Sequence, residues 1–266
     1  LAGVLDKVDD KQILDVKPIV SDYHIEFNGV SCSYNKRALD VEDISFRIER
    51  NTTFEIIGAT GSGKSTIAQL LMSMYDVDAG SILINGQDIR SVDEKDLRRQ
   101  FGVVFQNDAL FSYSIKENIA FGRDLGDNQL IEAAEYAQAR DFIEQLQDQY
   151  EAKVLRAGAN FSGGQKQRML IARALADNPE IIILDDASSA LDYQTDASLR
   201  RAIKDSYHAT AIIITQRVAS VIHADQILMI DEGRIIGLGT HAELLASCEP
   251  YYELTQLQLG GDHHEL

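Results

Sequence analysis

The chain has 266 residues, of which 45% are hydrophobic, enough to bury a substantial core in one large domain or in a domain with lobes. Forty-two acidic residues against 25 basic ones give a formal net charge of −17, which disfavours broad contact with a nucleic-acid backbone or an anionic membrane surface. The chain has two cysteines, Cys32 and Cys248, far apart in sequence, which disfavours a disulfide framework and fits a reducing compartment better.

The first segment, residues 1–22, mixes charged and apolar residues without a firm period. We expect it to be an incoming linker or the tail of a helix. It is too charged for a signal peptide, and no apolar run in the chain approaches the roughly 18 residues of a membrane span. As given, the chain is expected to be soluble and not secreted.

Residues 23–54 contain the short β-rich segments YHIEF, VSCSY and ISFRI, separated by NG and NKR turns, which predicts an antiparallel lobe. Residues 81–89 (SILINGQDI) add a similar segment. Between the two, FEIIG leads into a glycine-rich turn, after which apolar residues recur at the spacing i, i+3, i+4, i+7: Ile67, Leu70, Leu71 and Met74. This order predicts a strand, a loop and an amphipathic helix.

The second half of the chain alternates helical and apolar segments. Residues 114–150 are helix-prone and lack strand signals, which predicts a helical insertion. The apolar runs IIILDD and AIIITQ follow, separated by a helix of roughly 14 residues, and then QILMID and EGRIIGLG. Apolar strands that alternate with helices predict a parallel sheet covered on both faces. Residues 241–259 are expected to be helical.

The glycine-rich turn reads GATGSGKS at residues 58–65 and matches G-x-x-x-x-G-K-[ST] in full, after a strand and before a helix. Glycines permit a loop whose N–H groups converge on phosphate oxygens. Lys64 can neutralise the β- and γ-phosphates, and the Ser65 hydroxyl can hold Mg²⁺. The motif predicts a nucleoside triphosphate site without specifying the base.

Two further motifs carry chemistry. Asp185 ends an apolar strand, which suits a ligand of the magnesium ion, although such an Asp can also serve only as a cap. Asp186 follows, where a general base for the attacking water would sit. In FSGGQ, residues 161–165, Ser162 can cap the next helix while bare N–H groups and the helix dipole face an anion.

Together these motifs resemble the nucleotide-binding domain of ATP-binding cassette (ABC) transporters. The resemblance covers residues 23–259 and includes Walker A (residues 58–66), a Q-loop at Gln106, the signature FSGGQ, Walker B through Asp185, a D-loop SALD (residues 189–192) and a switch position at Gln216. It implies an α/β fold: a P-loop NTPase (RecA-like) core with a parallel sheet, an antiparallel β lobe and a helical subdomain at about residues 107–165. A polar tail would occupy residues 260–266.

The resemblance also implies ATP and Mg²⁺ as cofactors. Tyr34, which as an isolated residue would more often only pack at a strand end, is similar to the family's aromatic that stacks on adenine. The nucleotide-binding residues would be Tyr34, Gly58, Ala59, Thr60, Gly61, Ser62, Gly63, Lys64, Ser65, Thr66, Ser162, Gly163, Gly164 and Gln165. The metal ligands would be Ser65, Gln106 and Asp185, and the catalytic residues Asp186, Gln216 and Gln106.

The segments NDALFSYSIKENIAFG, NFSGGQKQR and GTHAELL resemble exporter-type cassettes, which are fused behind the transmembrane half of multidrug or lipid exporters. The resemblance implies that residues 1–22 are the tail of a fused membrane domain. It places the cassette at the cytoplasmic face of the membrane. The expected partners are that transmembrane domain and a second nucleotide-binding domain bound head to tail, with no nucleic acid.

The chain departs from the family pattern at two positions, where the family usually has Glu and His and this chain has Asp186 and Gln216. Asp is shorter by one C–C bond, about 1.5 Å, and about 1 Å of misplacement can cost on the order of a hundredfold in rate. The Gln216 amide cannot carry a proton as imidazole can. Either change alone can be neutral drift, but together they match the degenerate half of a heterodimeric exporter. We therefore expect slow hydrolysis at this chain's own site, with FSGGQ completing the partner's competent site.

Three points stay open at this stage. Arg156 lies where exporters often have a Glu in the coupling X-loop. Two interpretations are open: coupling to the membrane domain is altered, or Arg156 is a solvated loop residue. A soluble ABC ATPase acting on nucleic acid or ribosomes would need basic patches or a coiled-coil insertion, and the sequence has neither. A regulatory, ATP-sensing dimer without transport is the other alternative. His223 and His241 are isolated and are not expected to bind metal.

Overall fold

The computed structural model describes residues 23–36 and 38–260. The predicted linker, residues 1–22, and residues 261–266 of the predicted tail lie outside the described residues. The strands are β1 (Tyr23–Cys32), β2 (Val41–Glu49), β3 (Thr53–Ile57), β4 (Ala79–Ile84), β5 (Gln87–Asp88), β6 (Phe101–Val104), β7 (Ile181–Asp185), β8 (Thr210–Thr215), β9 (Gln226–Asp231) and β10 (Arg234–Gly239). The α-helices are α1 (Lys64–Leu71), α2 (Glu94–Arg99), α3 (Ile115–Ala120), α4 (Asp127–Tyr136), α5 (Arg140–Glu144), α6 (Gly163–Leu175), α7 (Tyr193–Ala202), α8 (Val218–Val221), α9 (His241–Ser247) and α10 (Glu249–Leu259).

The predicted antiparallel lobe is confirmed as a sheet in the order β2-β1-β4-β5. The turn predicted at Asn28 and Gly29 is wrong, because β1 runs through both residues and the register shifts between Phe27 and Val30 instead. A bulge takes up the extra residue, and Gly29 has the positive φ that a bulge requires. The tight turn lies at the second NG pair, residues 85–86, where both residues have positive φ and join β4 to β5.

The main sheet has the order β10-β9-β3-β8-β7-β6. Strands β9, β3, β8, β7 and β6 are parallel, whereas β10 pairs antiparallel with β9 at one edge. The opposite edge strand, β6, was not anticipated, since its apolar run is only four residues long. The expectation of a parallel sheet is confirmed for the five strands from β9 to β6, and the α/β P-loop architecture with it.

Helices and the antiparallel sheet cover both faces of the main sheet. On one face Phe54 and Ile56 of β3 pack with α1 and the antiparallel sheet. On the other, Ile182 and Leu184 of β7 pack against helices α3 to α6. This two-sided burial explains why the strands are apolar throughout rather than alternating. The predicted helical segment at residues 114–150 is confirmed as α3, α4 and α5, with one isolated bridge between residues 114 and 153.

Helix α1 is shorter than its apolar spacing predicted. Ile67, Leu70 and Leu71 are buried, but the helix ends at Leu71, and Met74 is 49% exposed. The chain turns there through Ser73, whose φ is positive, which carries the i+7 position away from the core. Spacing alone therefore overestimated the apolar face of this helix by one turn.

His24 joins the two sheets. Its ring is buried, and Nδ1 lies 2.6 Å from Oγ1 of Thr210 on β8. Burial, together with the positive charge of Arg50, lowers the pKa of His24 to about 4, while Glu180 opposes the shift. Folded His24 therefore stays neutral over a pH range in which an unfolded histidine takes up a proton.

We predict that the chain loses stability as the pH falls from 6.5 towards 4, because the unfolded state binds a proton that folded His24 does not. The contribution is present in full above pH 6.5 and amounts to roughly 3 kcal/mol across this interval. Urea denaturation at several pH values measures it. His24→Gln should flatten the acid limb, and the exposed His223→Gln should retain it; equal slopes in the wild type and His24→Gln would contradict the assignment.

Candidate nucleotide-binding site

The carboxyl ends of the parallel strands align at one edge of the main sheet. Ile57 at the end of β3 pairs with Thr215 of β8, and Asp185 of β7 pairs with Ile214 of β8. Val104 at the end of β6 pairs with Leu184. The segments that follow these strands therefore begin side by side. They are the Walker A loop, the switch position, the Walker B acids and the Q-loop, which sequence order scatters over about 160 residues.

The Walker A loop wraps around the amine of Lys64. Nζ donates hydrogen bonds to the carbonyl oxygens of Gly58 at 2.9 Å and Ala59 at 2.6 Å, and the N–H of Ser62 donates to Ala59 at 3.2 Å. Burial lowers the pKa of Lys64, and the carboxylates of Asp185 and Asp186 oppose this shift. A buried cation and two carboxylates thus share one end of the sheet.

The loop has the features of an anion site. Helix α1 begins at Lys64, and its N-cap, Gly63, provides no capping side chain, so that the first N–H groups of the helix are open to an acceptor. Gly61 and Gly63 have φ values of +82° and +104°, which side-chain-bearing residues rarely adopt. Ser62 Oγ is buried and has no hydrogen-bond partner within the described part of the chain. A phosphate group fits this set of donors.

The first glycine of the loop is required by packing. A Cβ on Gly58 would lie 2.2 Å from the carbonyl oxygen of Ile230 and 2.7 Å from Ser62 Oγ. Strand β9 therefore passes too close for any side chain at this position. This contact also holds the start of the loop against the sheet.

Asp185 and Ser65 form an oxygen pair beside the loop. Burial raises the pKa of Asp185, and a hydrogen bond from Ser65 and the charge of Lys64 act in the opposite direction. Hydroxyl and carboxylate oxygens are the ligands that Mg²⁺ prefers. Gln106, the third expected ligand, is exposed two residues after the end of β6. It lies in a turn closed by Asp108, whose carboxylate accepts from the N–H of Phe105.

The two unusual residues are held through their main chains. Asp186 is half-buried with φ +52°, and its N–H donates to the carbonyl of Ile214 at 2.9 Å, which continues the pairing with β8. Gln216 is exposed, and its carbonyl accepts from Nε2 of Gln258 at 2.8 Å. Oε1 of Gln258 accepts in turn from the N–H of Val218. Gln258 was missed by sequence reasoning, because no local pattern links α10 to a residue 42 positions away.

Tyr34 lies against the Walker A helix. Its hydroxyl donates to Oε1 of Gln69 at 2.7 Å, and its N–H donates to the carboxylate of Asp40. The ring meets Tyr75 edge to face, with centroids 4.6 Å apart, and the residue is 42% exposed. An aromatic surface therefore stands at the side of α1, next to the loop.

The signature lies beside the D-loop. Ser162 caps α6 in a capping box with Gln165, as expected, and Gly163 is exposed. A Cβ on Gly164 would lie 3.2 Å from the carbonyl oxygen of Ala190 in the D-loop. Across residues 23–36 and 38–260, no recorded hydrogen bond or ion pair joins the signature to the Walker A loop.

The remaining candidates are structural. Arg156 is exposed in a short 3₁₀ turn (Arg156–Gly158), as a solvated residue would be. Nδ1 of His241 is hydrogen-bonded to the hydroxyl of Tyr251 at 2.8 Å. Cys32 and Cys248 are buried and unpaired, in agreement with packing thiols. In the part of the chain that the structure describes, no His, Cys, Asp and Glu side chains form a metal-binding group of three or more.

A strand that runs into a glycine-rich loop, a lysine held within that loop and an Asp–Ser pair at the end of a parallel strand define a P-loop nucleoside triphosphatase. A profile of the ABC transporter family matches residues 41–189. The chain belongs to this family and is an ABC transporter ATP-binding domain.

Relatives and a solved structure agree with this assignment. The chain is 42% identical over 243 residues to YfiB of Bacillus subtilis, an uncharacterized ABC transporter ATP-binding protein. The alignment covers 91% of this chain and 42% of that protein. It is 39% identical over 254 residues to a protein of Staphylococcus aureus provisionally named a multidrug export ATP-binding/permease protein, with 94% and 44% covered. The structure of a bacterial Atm1-family ABC exporter with ATP bound matches 91% of this chain and 42% of its own, at 37% identity and a TM-score of 0.85.

The chain spans less than half the length of these relatives. Among the helices that the structure describes, none combines the length and apolar character needed to cross a bilayer.

We predict that Gly58→Ala lowers the free energy of unfolding by roughly 1–3 kcal/mol, because the new Cβ collides with the main chain of β9. Guanidinium denaturation measures the change. Gly126→Ala is the matched control, since the nearest atom to its Cβ is 3.7 Å away, and only a small N-cap effect below about 1 kcal/mol is expected there. A Gly58→Ala chain as stable as the wild type would contradict the packing argument.

Proposed function

We propose that the chain is the ATP-binding domain of a heterodimeric ABC exporter. It binds Mg-ATP through its Walker motifs at a site that hydrolyses slowly, and it supplies FSGGQ to the competent site of a second cassette. The observation that carries this proposal is the separation of the Walker loop from the signature, combined with Asp186 and Gln216 at the two hydrolytic positions.

Binding rests on the loop and its neighbours. Loop N–H groups and Lys64 receive the phosphates, and the exposed ring of Tyr34 beside α1 suits a base stacked on it. Ser65 and Asp185, with Gln106 at the neighbouring strand end, would hold Mg²⁺, which when bound neutralises phosphate charge. These groups need no rearrangement of the sheet, since they already lie at one edge.

Slow hydrolysis follows from how the two unusual residues are held. The N–H of Asp186 is fixed to Ile214, so the main chain cannot advance to compensate for the shorter side chain. Gln258 fixes the main chain at Gln216 in the same way. Reach is then set by side-chain length, and a carboxylate about 1.5 Å short orients water poorly. The Gln216 amide can hydrogen-bond to a phosphate oxygen but cannot exchange a proton.

The second cassette is supported by the exposed signature. Ser162 and Gly163 present the N-terminus of α6 to solvent, away from this chain's own loop, where an anion from another molecule can reach it. A head-to-tail pair of cassettes satisfies both half-sites at once. Because Asp186 and Gln216 replace the Glu and His that the family usually has, a pair of two different chains, one of which keeps Glu and His, is favoured over two copies of this chain.

A membrane-domain partner is supported by an apolar groove of about 710 Å³ beside the Q-loop. Phe111, Tyr113 and Phe121 line it, and each is about half exposed. Arg173 stacks under Phe111 and Phe121 and donates three hydrogen bonds to the surrounding segment, which makes the groove rigid. A preformed aromatic groove of this size indicates a protein contact. We assign it to the transmembrane domain, which places the cassette at the cytoplasmic face of the membrane.

The name of one relative, which includes multidrug export and permease, supports drugs as the exported class. Lipids are the other class that the resemblance to exporter-type cassettes implies. The strongly acidic charge does not favour a soluble ABC ATPase that acts on nucleic acid. An ATP-sensing dimer without transport shares the same nucleotide site, and only the presence of a fused membrane domain in the natural polypeptide separates it.

We predict that the isolated chain binds Mg-ATP but turns it over negligibly, whereas mixing it with a cassette that carries the family's Glu and His gives hydrolysis. Lys64→Ala should weaken binding roughly ten- to a hundredfold through loss of a charge-assisted contact. Fluorescent-nucleotide titration and phosphate release measure the two effects. The exposed Lys95→Ala is the control for binding, and it should leave affinity unchanged.

In the mixed pair, Ser162→Ala and Gly163→Asp in this chain should abolish most of the hydrolysis, because the signature serves the partner's nucleotide. Robust turnover by the unmixed wild-type chain would refute the degenerate-site assignment. Hydrolysis that survives both signature substitutions would refute head-to-tail assembly.

We predict that, in the mixed pair, Asp186→Glu combined with Gln216→His raises turnover at this chain's own site by at least tenfold, because the carboxylate regains its reach and the switch regains a proton carrier. Steady-state phosphate release at saturating Mg-ATP, with affinity measured in parallel, is the test. Each single substitution should give a smaller gain. Unchanged turnover in the double variant would show that the limitation lies elsewhere.

A further inference from the structure

A charged cluster is buried behind the nucleotide-binding edge of the sheet. Glu55, at the centre of β3, is only 1% exposed, in a strand whose every residue is buried. Arg200 donates hydrogen bonds from Nη1 to Oε1 of Glu55 and from Nε to Oδ2 of Asp196, the latter at 2.9 Å. Ser220 Oγ donates to the same oxygen of Asp196 at 3.2 Å. We call Glu55, Asp196, Arg200 and Ser220 the buried network.

Each member of the buried network lies close in sequence to a loop of the site. Glu55 precedes the first Walker A glycine by three residues. Asp196 lies on α7, four residues after Asp192, the D-loop residue that caps this helix. Ser220 lies on α8, four residues after Gln216. The network therefore connects the elements that carry Walker A, the D-loop and the switch position.

At the site itself, Arg217 donates to the carbonyl oxygen of Ser189, which connects the switch segment to the D-loop. The buried network connects α7 and α8 to β3. A shift of α7 relative to β3 would move the D-loop, and this is the motion that the network resists.

The chemistry of the network is costly for a purely structural element. Apolar residues of similar volume would stabilise the core as well or better, whereas two carboxylates beside one guanidinium carry a surplus negative charge whenever both are ionised. Among the residues that the structure describes, Glu55 Oε2, Asp196 Oδ1 and Arg200 Nη2 have no hydrogen-bond partner. A cavity of about 450 Å³, lined in part by these three residues and by Lys204 and His223, adjoins the network. Protons can therefore reach the cluster.

Burial raises the pKa of Glu55 to about 8, with Arg200 opposing and Asp196 reinforcing the shift. The phenol of Tyr251 on α10, whose own pKa burial raises to about 12, is the titratable group on the neighbouring helix and remains neutral in this range. The other ionisable side chains that line the cavity are Tyr193, Arg201, Lys204, Asp205 and His223. Neutral Glu55 leaves Arg200 and Asp196 as one balanced pair, and its ionisation adds an uncompensated charge.

We propose that Glu55, Asp196 and Arg200 are positioning residues that hold the D-loop helix and the switch helix against the Walker A strand. They set the rate of turnover without touching nucleotide. The proposal rests on the proposed function for its effect on turnover, but its effect on α7 is independent of any activity. When Glu55 ionises, α7 loosens, and the D-loop loses its fixed place.

The test compares the wild type with Glu55→Gln, which keeps the shape and cannot ionise. Hydrogen exchange of residues 193–202 is followed between pH 6.5 and 9.5, corrected for the intrinsic rate. In the wild type, protection of α7 should fall at least fivefold between pH 6.5 and 8 and level off above pH 8, because Glu55 in the opened state is already ionised there, and in Glu55→Gln it should stay constant. Asp205→Asn is the matched control, because Asp205 is exposed and lines the same cavity, and it should retain the fall.

Turnover is measured in the Asp186→Glu/Gln216→His background over the same pH range. With that background alone, kcat should fall above pH 8 while KM stays within twofold. Adding Glu55→Gln should remove the fall. Arg200→Met should lower kcat at least tenfold at all pH values, with Arg200→Lys restoring part of it. Should Arg200→Met fail to fold, the Glu55→Gln comparison still decides.

The outcomes separate the two proposals. Loss of α7 protection that persists in Glu55→Gln overturns the positioning role, whatever the chain does with ATP. Absence of ATP binding or of turnover in the Asp186→Glu/Gln216→His background overturns the proposed function and leaves the exchange result to decide the positioning role. Equal pH profiles for kcat with and without Glu55→Gln overturn the link to turnover.

Discussion

The pairing of β3 between β8 and β9 is the constraint on which the site depends. Its parallel register aligns Ile57 with Thr215 and Met229, and β7 continues the alignment on the far side of β8. All loops that leave this edge therefore start within a few strand spacings of one another, each about 4.8 Å. The close approach of Ile230 to Gly58 comes from the same packing. The anion site at α1 and the acids at β7 meet because of the sheet, and no contact between their side chains is needed to bring them together.

Residues on the two sides of the carboxyl edge of this sheet are held in place in two different ways. At its carboxyl edge, functional residues are held mainly through the main chain, as Asp186 is by Ile214 and Gln216 by Gln258. Under the proposed function, the side chains there contact nucleotide. Behind that edge, α7 is held by side chains of the buried network, where charge replaces the apolar contacts of the surrounding core. The first arrangement makes side-chain length decisive at positions 186 and 216. The second makes the placement of the D-loop sensitive to one carboxyl group.

Much of the fold and of the candidate site was accessible from local patterns. The apolar runs of β7 and β8 and the glycine motif at residues 58–65 predicted a parallel sheet and a phosphate loop, because two-sided burial and close backbone approach each restrict residue types. The FSGGQ capping box was equally readable. The bulge at Asn28 and Gly29 was not, because the same dipeptide serves both a bulge and a turn. Helix α1 also ended one turn early, where Ser73 takes a positive φ that spacing does not encode.

By itself the sequence determined which residues form the phosphate loop, the acids and the signature, and that Asp186 and Gln216 differ from the family pattern, since these follow from residue type and short spacing. Only the tertiary structure decided that Gln258 holds the switch position, that the signature lies beside the D-loop and apart from Walker A, and that Glu55 meets Arg200 across 145 positions. The physical reason is that such contacts depend on how helices pack on the sheet. A charged residue such as Glu55 within the apolar strand FEIIG indicates that a buried partner is needed, but it does not indicate which helix provides that partner.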